Sequence, residues 1–187
     1  THCISSAASD VYKRQKWENF KEINQNFKVK LFGPFSINYP IPMHYSKHGP
    51  VLKDNNKAYA LRFVGMHDVN HSTAWLKMNK SKNLSQWLEA LKMQEIASLN
   101  LVYADKEDNI YFVHNVKSPI RNSNYDWKKV LPGNDSSLIW TEFHPFENIP
   151  QILNPSSGYI FSTNQNPFFV TANEDNLLPE NYNPCLL

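Results

Sequence analysis

Apolar and polar residues alternate most regularly in two stretches of the first third of the chain. In FKVKLFG (27–33), Phe27, Val29 and Leu31 are separated by lysines ahead of Gly33-Pro34, which predicts a half-exposed strand. In AYALRFV (58–64), Tyr59, Leu61 and Phe63 fall on one face and Arg62 on the other, predicting the clearest strand in the chain. Val51-Leu52 follows a sharp His48-Gly49-Pro50 turn and pairs with that strand in a hairpin whose long polar turn is KDNNK (53–57). Between the two stretches lies PFSINYPIPMHYS (34–46). Its prolines cannot donate to a ladder, so an edge strand or extended loop is expected rather than a central strand.

The period then changes. In SKNLSQWLEALKMQEI (81–96), Leu84, Trp87, Leu88 and Leu91 recur at helical spacing. Asn83 with Gln86 three positions later resembles a capping box, giving one clear helix near 83–96. Ala74 to Met78 fits a preceding helix joined through Asn79 and the lysines after it. NLVYAD (100–105) and IYFVH (110–114) then flank Lys106-Glu107-Asp108-Asn109 as a hairpin with a four-residue loop. Both strands are almost wholly apolar, which predicts cover on both faces.

From Lys117 to Pro155 the pattern is irregular and interrupted by prolines, as in a long loop that is functional or wraps a core. It ends in NPSSGYIFSTNQNP (154–167). Asn154 to Gly158 is a dense turn signal, and Tyr159-Ile160-Phe161 reads as a short buried strand. Thr163, Asn164 and Gln165 follow together before Asn166-Pro167. Two readings stand side by side: a strand exit that aims amide donors into a site, or amides that satisfy the turn backbone.

Composition sharpens this to a β-rich α+β protein with long Pro-rich loops. The 187 residues can bury a core, and 41% hydrophobic with 19% charged residues is a globular balance. Twelve prolines outnumber five glycines. A net charge of +2, with no basic stripe, gives no indication of nucleic-acid binding. No apolar run reaches the roughly 18 residues of a membrane span. Cys3 and Cys185, near opposite ends, fit either redox compartment. The opening THCISSAASDVYKRQ (1–15) resembles translated sequencing-adapter read-through, and the closing CLL (185–187) a similar junction. The domain is therefore expected over 16–184, as an internal fragment cut at both ends.

Candidate chemistry is sparse. His67 and His71, four apart with Asp68 between, could ligate a metal from one helix face, or simply belong to a strand-to-helix loop. Asp105, Glu107 and Asp108 could do acid/base work or be solvated charge at a hairpin tip. His48 could be a general base or a turn histidine bonded to backbone. Trp75 and Trp87 could be core or sugar-stacking platforms. No GxSxG elbow, P-loop, dinucleotide glycine set or CxxC pair occurs.

Several pieces in order carry a resemblance: YSKHGPVL (45–52), YALRF (59–63), AWLKMNKSKNLSQWLEAL (74–91), NLVYADKEDNIYFVH (100–114), SPIR (118–121), Pro132-Gly133, the PFE-x2-P-x3-NP-x2-GYI series within 140–160, and TNQNP (163–167). Together they resemble the penicillin acylase family of N-terminal nucleophile hydrolases. The resemblance implies part of an αββα sandwich from the β subunit of a precursor that is exported to the periplasm and cuts itself. It also implies a partner α subunit from the same precursor. The new N-terminal residue, commonly Ser, attacks with its own α-amine as base. That nucleophile would lie outside this chain.

The resemblance further implies that Asn164 donates to the oxyanion, that Trp75 and Leu99 line the acyl pocket, and that Asp175 is a ligand of a structural Ca2+, with no organic cofactor. The family commonly has a second Asn where this chain has Gln165. The loop around Tyr125 and Asp126 departs from the pattern that supplies another calcium carbonyl. The implied function is cleavage of a small-molecule N-acyl amide, of the penicillin or acyl-homoserine lactone kind, by acyl transfer. The alternative is a non-catalytic β-rich module that binds glycans or peptides through Trp and Tyr.

Overall fold

The computed structural model describes residues 3–6, 10–11, 17–66, 70–96 and 98–179, with the backbone alone at 3–6, 10–11, 17 and 173. The chain forms two compact units. One comprises Thr1–Phe63 with Arg121–Trp140, the other Val64–Ile120 with Thr141–Leu187. His67 and Asp68 of the histidine pair lie outside the described residues, as do Cys185 and the side chain of Cys3.

In the first unit the strands are β1 (Cys3–Ser6), β2 (Asp10–Val11), β3 (Trp17–Glu18), β4 (Lys21–Phe32), β5 (Phe35–Tyr45), β6 (Pro50–Asp54) and β7 (Lys57–Arg62). Much later in sequence, β10 (Leu131–Pro132) joins them, giving a sheet of order β10-β1-β7-β6-β5-β4, with β2 and β3 paired separately. The Pro-rich stretch is a strand over eleven residues, and it lies between β4 and β6. That position is tolerated because β6 reaches only His44 and Tyr45, whereas Pro40 and Pro42 face Asn26 and Asn24 of β4 alone. The β4–β5 register places Phe27 opposite Tyr39 and Val29 opposite Ile37, with Lys28 and Lys30 on the alternate face. The alternation is as expected but the burial is not: Phe27 and Val29 are exposed. The unit's buried cluster is instead Val51, Ala58 and Ala60, with Phe20 against it.

β7 also reverses the expected faces. Ala58 and Ala60, on the Arg62 side, are buried, while Tyr59 and Leu61 are half-buried and Phe63 is exposed. The polar turn between β6 and β7 shrinks to Asn55-Asn56, since Asn55 takes a left-handed φ of 51° and closes the hairpin tightly.

The second unit holds α1 (His71–Lys80), α2 (Leu84–Leu91), β8 (Leu99–Ala104), β9 (Ile110–Asn115) and β11 (Gln151–Leu153). Its antiparallel sheet has the order β11-β9-β8. The cap of α2 is as expected: Asn83 Oδ1 accepts from the Gln86 N–H at 2.9 Å, and Gln86 Oε1 accepts from the Lys82 N–H at 3.0 Å. The helix stops at Leu91 rather than near 96. Gln94 takes a left-handed φ of 50°, and its side-chain amide donates to the carbonyls of Val116 and His144. Trp87 anchors the core, with its ring 5.1 Å from Tyr103 and 6.0 Å from Tyr111.

The central β9 buries Tyr111, Phe112 and Val113. The edge strand β8 is not covered on both faces, and Val102 is exposed. Tyr159-Ile160-Phe161 is not a strand, and Tyr159 and Phe161 are exposed. Its backbone groups find other partners: Thr171 Oγ1 donates to Tyr159 O at 2.7 Å, Gln165 Nε2 donates to Phe161 O at 3.1 Å, and the Phe161 N–H donates to Val170 O. The fold is β-rich α+β. Among the described residues no helix is long and apolar enough to cross a membrane.

Candidate functional site around Asn164

The segment after Pro155 is shaped by turns. Gly158 sits at φ 74°, and its N–H closes on Pro155 O at 3.0 Å, a geometry that suits glycine. The chain then doubles back through residues 161–170. Asn164 stands at the tip of this reversal with φ 61°, a left-handed conformation that Asn tolerates better than most side chains.

Gln165 locks the reversal. Its side-chain oxygen accepts from the Thr163 N–H and hydroxyl, and its side-chain nitrogen donates to the carbonyls of Phe161 and Phe169 at 3.1 and 3.0 Å. Asn166 Oδ1 accepts from the Phe168 N–H at 3.0 Å. Two of the three neighbouring amides therefore satisfy turn backbone. Asn164 is the exception: it is exposed, and among the described residues its side-chain amide has no hydrogen-bond partner.

The reversal is tied to the sheet. Asn100 Nδ2 donates to Gln165 O at 3.2 Å, and Asn100 Oδ1 lies 2.7 Å from His114 Nδ1. The two residues are cross-strand partners in β8 and β9. Burial lowers the pKa of His114 and favours its neutral ring. With Nδ1 protonated, the proton points at Asn100 Oδ1 and fixes the amide so that its nitrogen faces Gln165. Neither residue stands out as chemistry in the sequence. The available signal is that two polar residues face one another in strands that are otherwise nearly all apolar.

The other candidates are placed as follows. Leu99 opens β8, pairs with Asn115 of β9 and is 41% exposed, so it is not core; the strand alternation puts its side chain on the face opposite that of Asn100. Trp75 is half-buried on α1 against the Trp87 core, and its Nε1 donates to His71 Nε2 at 2.8 Å. His71 Nδ1 also meets Glu95 O at 3.3 Å, so both its ring nitrogens are engaged. Asp175 clasps the opposite end of the Asn164 segment. Its carboxylate accepts the Ser156 hydroxyl at 2.8 and 2.9 Å and the Ser157 N–H at 2.7 Å. These bonds, that from Ser157 foremost, lower its pKa.

Calcium needs six to eight oxygens, and here Asp175 offers one carboxylate already engaged. Among the described residues no three His, Cys, Asp or Glu gather as a metal site. Asp175 can supply one of those oxygens, and the set would be completed by other carboxylates, side-chain amides or backbone carbonyls.

The remaining candidates resolve into structural roles. His48 is buried, with Nε2 3.1 Å from Gly133 O. Asp105 ties its own hairpin loop through the N–H groups of Glu107 and Asn109 at 2.9 and 3.1 Å.

The family model for penicillin amidase matches residues 4–184. Penicillin G acylase of Escherichia coli is 34% identical over 124 residues, 64% of this chain but 14% of that protein. The solved structure of a thermostable penicillin G acylase from Alcaligenes faecalis superposes with a TM-score of 0.74 at 24% identity, over 89% of this chain and 31% of that one, a likeness of fold. The chain thus spans a minor part of the length of either relative. Matched across nearly its whole length, this chain belongs to the penicillin amidase family.

Proposed function

We propose that the chain is part of an amidohydrolase that removes an acyl group from a small-molecule N-acyl amide. The observation that carries this reading is the Asn164 side chain. It is held at a left-handed tip, exposed and without a hydrogen-bond partner among the described residues, while its neighbours are consumed by the turn. Oxyanion stabilisation needs such a preorganised donor, with no internal partner to give up as charge develops.

In the proposed reaction, an N-terminal Ser outside this chain adds to the amide carbonyl, with its α-amine taking the proton. Asn164 donates to the oxyanion of the tetrahedral intermediate. The amine leaves, and water cleaves the resulting ester to release the acid. Leu99, beside the Asn100 tether, and Trp75 are proposed to line the acyl pocket. The αββα sandwich, the α subunit, autocatalytic processing and a periplasmic location belong to the same reading. A structural Ca2+ would take an oxygen of Asp175 and its remaining ligands from elsewhere, and no chemical step depends on it. Family membership favours this reading over a glycan- or peptide-binding module.

Edman sequencing of the mature β subunit of the complete protein tests the scheme. A Ser, Cys or Thr at its first position is expected, together with loss of amide hydrolysis when that residue becomes Ala. The 187-residue chain alone is expected to release no amine or acid from a penicillin or an acyl-homoserine lactone. An unprocessed active enzyme, or turnover by the chain alone, would refute the scheme.

A further inference from the structure

In the first unit, Arg121 lies over two neighbouring indoles. Its guanidinium carbon is 5.6 Å from the ring centre of Trp127 and 5.4 Å from that of Trp140. Both tryptophans are buried, and their rings stand 6.5 Å apart. Arg62 of β7 faces the same Trp140 at 5.3 Å. Two cations therefore share one indole. Arg62 has acceptors, donating to Lys47 O at 3.1 Å and Trp140 O at 3.5 Å. Burial opposes its charge and lowers its pKa.

Arg121 has less support. Its Nε is sealed from solvent without a hydrogen-bond partner. Among the described residues, neither arginine has a carboxylate within ion-pair distance. The two acids of the 121–140 segment are engaged elsewhere: Asp135 with Tyr125 and the Ser137 N–H, and Asp126 with Lys129 at 3.2 Å.

A guanidinium drawn out of water is stable only with acceptors or a counter-charge. Indole faces offset part of that cost and provide no acceptor for the N–H groups. The enclosed Nε fixes the inner edge of Arg121 in the protein. The two terminal nitrogens of Arg121 have no hydrogen-bond or ion-pair partner among the described residues and, unlike Nε, are not sealed from solvent, so the terminal edge is left open. That edge presents two parallel N–H donors, which match the two oxygens of a carboxylate. Trp127 and Trp140, both buried, hold the guanidinium against their rings and so fix its orientation.

We propose that Arg121, Trp127, Trp140 and Arg62 form a carboxylate-binding site, with the terminal edge of Arg121 as the docking group and Arg62 as a second positive charge. It stands independently of the acylase reading. The carboxylate can come from a free organic acid or from an Asp or Glu side chain elsewhere in the longer polypeptide.

The test is tryptophan emission of the 187-residue chain titrated with sodium acetate, against sodium chloride at the same ionic strength. A saturable response to acetate alone is expected. Arg121→Gln should weaken it about tenfold or more, as loss of a charge-assisted pair requires. Arg121→Lys, which keeps the charge without the fork, should weaken it also. Far-UV circular dichroism checks that the variants fold. If they do not, the side-chain 15N resonances of Arg121 in the unsubstituted chain provide the readout and should move saturably with acetate. The same titration of the complete protein separates the sources. A response there means a free acid is the occupant, and silence there with a response in the chain means the protein's own carboxylate fills the site. No saturation in the chain, an equal response to chloride, or a response indifferent to both Arg121 variants would overturn the proposal.

Discussion

The side-chain amide of Asn100 donates to the main-chain carbonyl of Gln165 at 3.2 Å, one residue beyond Asn164. This contact fastens the loop tip to the edge strand of the second unit's sheet. His114, across the ladder, orients the amide through its contact with Asn100 Oδ1 at 2.7 Å. The strut holds the main chain one residue beyond Asn164.

Replacing Asn100 should therefore act through position. In the complete enzyme, Asn100→Ala is expected to lower kcat about tenfold, the loss of one well-placed hydrogen bond, with KM little changed. Asn100→Asp should be no better, because it turns an oxygen toward the Gln165 carbonyl. Steady-state kinetics checks both. An unchanged kcat would remove the strut from the account while leaving Asn164 untouched.

Stability should fall as the pH drops from 7 to 5. Burial lowers the folded-state pKa of both His114 and His144. The unfolded chain then takes its protons first, near the usual histidine value of about 6.5. Their contribution is complete above that pH, declines below it, and levels off once the pH passes the lowered folded values. Urea midpoints at the two pH values measure the loss. It should shrink in a His114→Gln, His144→Gln double variant, and an equal loss there would assign the effect elsewhere.

Asp175 is shifted in the same direction for a different reason, since hydrogen bonds favour its charged form. Its folded pKa is depressed, so the clasp on Ser156 and Ser157 is present at neutral pH and is lost as the pH falls through the depressed value. Asp175→Asn should speed amide hydrogen exchange at Ser157, whose N–H the carboxylate holds at 2.7 Å. Unaltered exchange would show that the turn stands without it.

Trp87→Ala is expected to destabilise the second unit by about 3–5 kcal/mol, the usual cost of emptying a large aromatic site. Trp87 is buried and packs on Tyr103 and Tyr111. Denaturant unfolding followed by far-UV circular dichroism gives the value, and a change under about 1 kcal/mol would mean the site collapses around the gap.

Local signals in the sequence translated well where the partners were near in the chain. The Asn83–Gln86 cap and the 100–114 hairpin depend on residues a few positions apart. Features decided by distant partners were not legible. Helix α2 ends early because Gln94 reaches Val116 and His144. Tyr159-Ile160-Phe161 has a strand's composition, yet its carbonyls are taken by the side chains of Thr171 and Gln165. The same applies to the site. Either reading of the 163–166 amides was open in the sequence. The structure divides them, with Gln165 and Asn166 serving the turn and Asn164 left out of it.

The most direct test is kcat for Asn164→Ala in the complete enzyme, acting on an N-acyl amide, with unfolding measured alongside. Loss of one oxyanion donor should lower kcat about 10²–10³-fold at nearly unchanged stability. Near-normal turnover by a folded Asn164→Ala enzyme would contradict the assignment of Asn164 to the oxyanion.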